Sequence, residues 1–141
     1  MAISSAGART TNLTIAQSCF ELRTPASVRA RLLELSIVQA TATAQSLGLG
    51  RPNAIGVTPV NVLFQADDPG DPASVLNYSL SWGTSPTAPT VYHRRWNSAA
   101  TIGVGVVWTF PAGLIIPISS SIVVQNITTA VANDVSAVCD E

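Results

Sequence analysis

Charged residues are scarce in this chain. Asp, Glu, Lys and Arg make up 11% of its 141 residues, against roughly 25% in an average soluble domain. A free monomer ordinarily keeps more surface charge for solubility, so the composition indicates a protein whose surface is largely covered in an oligomer or a larger assembly. The alternative interpretation is a surface that is simply neutral.

Lysine is absent, and all seven basic residues are arginine, in a chain of net charge −1. No basic stripe is therefore available to neutralise phosphates, and we expect no nucleic-acid partner. No stretch reaches the roughly 18 apolar residues of a membrane helix, and the N-terminus lacks the apolar core of a secretory signal. We expect no membrane partner and assembly in the cytoplasm of the producing cell.

Catalytic signatures are also missing. The chain has one histidine, His93, and no Gly-x-Ser-x-Gly elbow that would expose a nucleophile. We therefore expect a protein that is not an enzyme and needs no cofactor. His93, Arg94, Arg95 and Trp96 are instead candidates for partner binding, because arginine forms bidentate contacts with carboxylates and keeps its charge when partly buried.

Three carboxylates, Asp67, Asp68 and Asp71, fall in one short segment. Oxygen ligands this close together are weak candidates for calcium, but their spacing does not match the EF-hand signature. A solvated Asp-Pro-Gly turn is the favoured interpretation. A hydrolase built on them would need a substrate held above the loop, and no other part of the chain indicates one.

Only two cysteines are present, Cys19 and Cys139, in the first and last strands predicted below. Neighbouring strands would allow a disulfide, but in a reducing cytoplasm buried free thiols are favoured. Two cysteines and one histidine are too few for a four-ligand zinc site without carboxylates.

What the chain does have is β-branched runs separated by Pro, Gly, Ser and Asn. The pattern predicts an all-β fold: a single-domain antiparallel β-sandwich, jelly-roll-like, of about eight strands. These strands are predicted at residues 13–22, 30–40, 60–65, 75–82, 90–96, 104–110, 121–127 and 135–139.

One segment leaves two alternatives open. Residues 28–47 fit a helix of about five turns, with Thr24 as its N-cap, Pro25 at its first position and Gly48 capping its far end, or a long strand over residues 30–40, which we favour. Pro111 and Gly113 predict a tight turn that makes a hairpin after residues 104–110.

Residues 1–12 are small and polar and have almost no large apolar side chain. Such a segment cannot offset the entropy of ordering its backbone. We therefore predict a flexible N-terminal arm over residues 1–12 that orders only against a partner, with Arg9 as its polar anchor, and a sandwich domain over residues 13–141.

Three stretches resemble a known class of proteins: SLGLGRPNAIGVTP from residue 46, HRRWN from residue 93 and WTFPAGLIIPISSSIVVQN from residue 108. Over roughly residues 20–141 the chain is similar to small virion proteins of tailed bacteriophages, the head-decoration or cement proteins. The resemblance implies a β-sandwich that docks on the major capsid protein of an assembled phage head, often as a homotrimer, and stabilises it. It transfers no active-site residues.

A second interpretation keeps the sandwich and changes the ligand. A phage fibre tip or adhesin module would present Trp82, Trp96 or Tyr92 to a carbohydrate, because the apolar face of a sugar stacks on an aromatic ring.

Overall fold

The computed structural model describes residues 2–128 and 131–141. This part of the chain contains eleven strands and no helix, which confirms the all-β prediction. The strands are β1 (Ile3–Arg9), β2 (Ser18–Arg23), β3 (Ala30–Gln39), β4 (Gln45–Gly50), β5 (Val57–Leu63), β6 (Gln65–Ala66), β7 (Asn77–Thr84), β8 (Tyr92–Ser98), β9 (Gly105–Ile116), β10 (Ser121–Asn126) and β11 (Asn133–Asp140).

The strands form two antiparallel sheets. Sheet 1 has the order β6-β1-β11-β3-β9, and sheet 2 has the order β5-β7-β2-β10-β4-β8. The first four strands pair with the last four in reverse order, β1 with β11, β2 with β10, β3 with β9 and β4 with β8. Successive pairs alternate between the sheets, so the chain is a long antiparallel ribbon rolled into a sandwich, which is the jelly-roll topology.

Strands β5, β6 and β7 are an insertion between β4 and β8. They extend both sheets on the side opposite to β8 and β9. The connections on either side of the insertion meet over the outer face of sheet 2, where the Thr87 N–H donates to the Ala54 carbonyl at 2.9 Å. Val123 belongs to that outer face, because its neighbours Ile122 and Val124 point into the core. It is nevertheless fully buried, so the insertion covers this sheet.

The core lies between the two sheets and is built from alternate residues of the paired strands. Its largest fully buried side chains include Phe20, Leu35, Ile37, Leu49 and Ile122. Strand β10, within the strand predicted at residues 121–127, is buried at all six of its positions. The favoured strand at residues 30–40 is also confirmed, because β3 occupies Ala30–Gln39 and the helical alternative is wrong.

The prediction of a flexible arm outside the sandwich at residues 1–12 is wrong for the greater part of that segment. Ile3–Arg9 is strand β1, paired with β11 at seven positions and with β6 at two. Small side chains suffice because the backbone hydrogen bonds of the sheet hold the strand and Ser4 and Ala6 fit against the core. The sandwich therefore begins at Ile3, while Met1 lies outside the described residues.

The predicted hairpin at Pro111 and Gly113 is also wrong, because both residues lie inside the single strand β9. Opposite β3 the register changes between Thr109 and Leu114, so residues 110–113 form a wide bulge. Gly113 has a φ of +72°, and a β-carbon there would lie 2.7 Å from Cβ of Arg31. Pro111 and Gly113 interrupt the hydrogen-bonding ladder without reversing the chain.

Eleven strands replace the predicted eight because three were missed. Strand β1 lies within the predicted arm, β4 lies between the strands predicted at residues 30–40 and 60–65, and β6 is only two residues long. Cys19 and Cys139 are buried free thiols, as the favoured interpretation expected. Burial raises the pKa of Cys19 to about 12 and raises that of Cys139 further, so both behave as small apolar residues.

Candidate interaction surfaces

The predicted partner-binding residues of β8 lie on an edge strand, because β8 pairs only with β4. Trp96 lies opposite Leu47 and Arg94 opposite Leu49, two positions of the core face. Arg95 lies opposite Gly48 on the outer face. The two arginines therefore point to opposite faces of the strand, and Trp96 packs partly buried against the core.

Each arginine of β8 lies over an aromatic ring. The guanidinium carbon of Arg94 is 5.1 Å from the centre of the Phe110 ring, and that of Arg95 is 5.7 Å from the centre of the Tyr92 ring. Tyr92 in turn covers Gly48, where a β-carbon would come within 2.4 Å of the ring. These contacts hold two exposed cations in place at the edge of the sandwich.

Arg51 adds a further cation at the end of β4, and its Nη2 donates to the carbonyl of Ile115 in β9 at 2.7 Å. The pKa of His93 is lowered by partial burial and by the positive charges of Arg51 and Arg94. Strands β4, β8 and β9 contain no carboxylate. We call Arg51, His93, Arg94 and Arg95 the basic edge.

The remaining predicted anchor, Arg9, does not join the basic edge. Its guanidinium makes a two-bond ion pair with Asp134 on the neighbouring strand β11, with Nε to Oδ1 at 2.8 Å and Nη2 to Oδ2 at 2.9 Å. The pair raises the pKa of Arg9 and lowers that of Asp134, first through the hydrogen bond between them. Arg9 is thus already occupied within its own chain.

The three predicted carboxylates lie at the opposite edge of the sandwich, in the loop after β6. The Asp67 N–H donates to the Ile3 carbonyl at 2.9 Å, and the Ser5 hydroxyl donates to Asp67 Oδ1 at 2.5 Å. Asp68 Oδ1 accepts from the N–H of Gly70 at 2.8 Å, as expected for the favoured turn. Within residues 2–128 and 131–141 these carboxylates do not gather into a metal-binding cluster.

The C-terminal carboxylate Glu141 lies at the same edge, where its Oε2 accepts from the Val75 N–H at 3.2 Å. We call Asp67, Asp68, Asp71 and Glu141 the acidic edge. Buried carboxylate oxygens of Glu141 and of its neighbour Asp140 have no hydrogen-bond partner within the described chain. This edge therefore has acceptor capacity that the protein itself does not use.

Apolar side chains accompany the acidic edge. Strand β5 is the edge strand of sheet 2 on this side of the sandwich, and its Val60 and Leu63 are 63% and 62% exposed. Val57 and Val62 of the same strand are exposed as well. Between β5 and sheet 1 runs a groove of about 480 Å³, lined among others by Ser5, Gly7, Leu63, Gln65, Asp67 and Tyr78.

A buried carboxylate, Glu21, stands out on the outer face of sheet 2. It accepts hydrogen bonds from four donors: Arg23 Nη1 at 3.0 Å, Trp82 Nε1 at 2.6 Å, the Gly56 N–H at 3.1 Å and the Ser121 hydroxyl at 2.7 Å. With this many partners the carboxylate is satisfied, and it fastens the covering insertion to the sheet. Glu21 is a structural residue that sequence reasoning did not single out.

Trp82 also borders a smaller groove of about 260 Å³ between the start of β2 and the end of β7. Leu80 and five polar side chains line the rest of this groove, the polar ones being Thr11, Asn12, Gln17, Ser81 and Ser85. An aromatic ring beside hydroxyl and amide groups has the chemistry that recognises a sugar. Of the three aromatics predicted to bind carbohydrate, Trp82 has this setting.

Comparison with known proteins found no matching protein family, curated protein or solved structure. Among the described residues there is no helix long and apolar enough to cross a membrane.

Sequence reasoning found the arginine pair of β8 and the acidic loop but missed the residues that complete the two edges. Arg51 and Phe110 join the basic edge only because β4, β8 and β9 come together at one side of the sandwich. A single arginine after a glycine-rich segment carries no local signal of such a role.

Proposed function

We propose that this chain is a non-enzymatic virion structural protein, a decoration or cement protein that binds the major capsid protein of an assembled phage head and stabilises it. It acts as a homo-oligomer, a trimer, on the capsid surface and is assembled in the host cytoplasm. The observation that carries the proposal is a jelly roll with sparse charge and exposed apolar side chains along an edge strand.

Exposed apolar side chains on an edge strand favour contact with another protein surface. An edge strand presents unpaired backbone groups and invites pairing with another chain, and β5 adds to this the exposed valines and leucine described above. Pro59 and a register shift beside it limit open-ended pairing along this edge. Such an edge suits a subunit that is held by a specific neighbour in a larger shell.

The two outer faces differ in a way that also supports docking. The insertion covers the outer face of sheet 2, whereas sheet 1 presents a row of small or neutral side chains. Gly7, Ser136, Ser36 and Val107 follow one another across this row in register. This uncharged row, with Glu34 on one side of it and the Arg9–Asp134 pair on the other, can contact another protein at a small cost of desolvation.

Binding to capsids tests the proposal directly. The purified chain is mixed with expanded heads of the phage that encodes it, and the heads are sedimented and then heated. We expect saturable co-sedimentation and heads that resist heat or loss of divalent cations better than bare heads. A chain that stays in the supernatant, or that binds unexpanded and expanded heads equally without stabilising either, contradicts the proposal.

The groove beside Trp82 favours carbohydrate binding as a second candidate function. Jelly rolls also occur in lectins, and the ring lies among amide and hydroxyl groups. This candidate predicts that a bacterial surface glycan changes tryptophan emission in the intact chain but not in Trp82→Phe, with Trp96→Phe as the matched control. A glycan panel that leaves the emission unchanged rejects it.

A further inference from the structure

Two groups of charges in this protein lie on opposite sides of the sandwich. The basic edge lies beside β8 and β9, and the acidic edge lies beside β6 and β1. No carboxylate occurs between Asp71 and Asp134 in the sequence, a span that includes the whole of β8 and β9. Among the described residues, the ion pairs are Arg9–Asp134 and Arg23–Glu21, so neither edge is neutralised from within.

The two edges also lie at the same end of the strands. Arg51 donates to the carbonyl of Ile115, and the carbonyl of Ile3 accepts from Asp67. These two carbonyls belong to the ends of one row that crosses sheet 1 through register partners, in the order Ile3, Asp140, Arg31 and Ile115. A neighbour rotated about an axis along the strands, with no shift along that axis, therefore brings a basic edge against an acidic edge.

Both edges hold charged atoms that lack partners. A buried Nη1 of Arg51 makes no hydrogen bond within the described chain, and neither do the buried oxygens of Asp140 and Glu141. These atoms are closed to solvent and cannot themselves meet a second copy, whereas the side chains of Arg94, Arg95, Asp67 and Asp68 are exposed and can. Exposed apolar side chains flank the charges on each side, with Leu63 at the acidic edge and Ile115 at the basic edge.

From this complementarity we propose that the protein associates head to tail with further copies of itself, the basic edge of one copy docking on the acidic edge and β5 of the next. Because such an interface uses two different surfaces, it closes into a ring when rotation alone relates the copies. The inference rests on the oligomer within the proposed function and specifies its contacts. It does not depend on the identity of the capsid partner.

Charge reversal of the full-length chain tests this interface. Arg94→Glu with Arg95→Glu reverses the basic edge, and Asp67→Arg with Asp68→Arg reverses the acidic edge. Either double variant places like charges together and should raise the dissociation constant of self-association by about tenfold or more. The measurement is sedimentation velocity across a concentration series at low and at high salt, with circular dichroism to establish that each variant is folded.

The variant with all four changes is the matched control, because it exchanges the two edges and keeps the net charge at −1. It should associate like the original chain, and high salt should weaken both. A monomer at every concentration, double variants that associate normally, or a folded four-site variant that stays monomeric would each overturn the inference. Capsids are absent from this experiment, so a failure of head binding leaves its result unaffected.

Discussion

At the scale of single residues, Glu21 is the side chain whose replacement we expect to destabilise the fold most. Its buried carboxylate accepts from four donors, and Arg23 supplies the opposite charge. Glu21→Gln keeps the shape but replaces an acceptor oxygen with a donor and leaves Arg23 without its opposite charge, although Arg23 still donates to the Gly56 carbonyl. We expect the free energy of unfolding to fall by about 2–4 kcal/mol, measured by urea denaturation.

Asp134→Asn is the control for that experiment. It also removes one charge of an ion pair, but the pair with Arg9 is exposed to solvent, where ion pairs contribute little. A loss of stability as large in Asp134→Asn as in Glu21→Gln would show that the Glu21 network has no special weight.

His93 gives a residue-scale prediction about pH. Partial burial and the charges of Arg51 and Arg94 lower its pKa in the folded chain below the ordinary value of 6.5. The neutral form is therefore favoured by folding, so this stabilising contribution is present above pH 6.5 and is lost as the pH falls through the folded pKa. Because the chain has one histidine, a single imidazole NMR resonance reports the value.

Docking of the acidic edge of a second copy would raise the pKa of His93. At low concentration the resonance should titrate below pH 6.5, whereas nearby carboxylates of a second copy would raise the pKa. A midpoint at or above 6.5 in the dilute chain would contradict the environment described for His93.

At the scale of elements, β1 makes a strong prediction because it is part of the fold. Deletion of residues 1–11 removes its pairing with β11 and uncovers the inner residues Val135 and Ala137. We expect the melting temperature to fall by more than about 5 °C, which corresponds to about 1 kcal/mol in a domain near this size. Calorimetry makes the measurement, with Arg9→Ala as a control that keeps the strand.

A truncated chain that melts within about 2 °C of the full chain would instead support the flexible arm expected from composition. A truncated chain that fails to fold agrees with the structure, provided that Arg9→Ala folds normally.

Two glycines make a matched pair, Gly113 in the bulge of β9 and Gly103 just before that strand begins. Gly113 and Gly103 both have positive φ, but a β-carbon at Gly103 would meet nothing within 4 Å, whereas one at Gly113 would strike Arg31. Gly103→Ala should cost about 1 kcal/mol from backbone strain alone. Gly113→Ala should cost about 1–3 kcal/mol more, because the neighbouring side chain must move.

Chemical denaturation of the two variants measures the difference. Equal losses of stability would mean that crowding at the bulge is unimportant and that only the backbone conformation requires glycine there.

Strands with a clear pattern of large apolar residues were predictable from sequence. Strands that are held mainly by backbone pairing with a neighbouring strand were not. Residues 30–40 and β10 carry enough β-branched and leucine side chains to be recognised as strands. Strand β1 has the sequence ISSAGAR, whose small residues show no periodic pattern. It is recognised as a strand only from its pairing with β11 in the folded chain. The bulge at Pro111 and Gly113 has turn residues, and composition does not distinguish a turn from an interruption within a strand.

At the scale of the whole molecule, the candidate surface was predictable only in its local parts. His93, Arg94 and Arg95 are adjacent in sequence and were recognised together, as was the acidic loop after β6. Arg9 looked equally free, yet its partner Asp134 lies 125 residues away. That the basic and acidic groups occupy opposite edges at one end of the sandwich follows from strand order and register, which require the folded chain.

Hydrogen–deuterium exchange of the full-length chain, measured below and above the concentration at which it associates, tests this account most directly. Backbone amides of β8 and β9 at one edge and of β5 and β6 at the other should exchange more slowly in the associated state. Amides of β11 and β3, already paired on both sides within sheet 1, should be unchanged. Edge amides that exchange equally fast at both concentrations, or protection of one edge alone, would contradict a head-to-tail assembly.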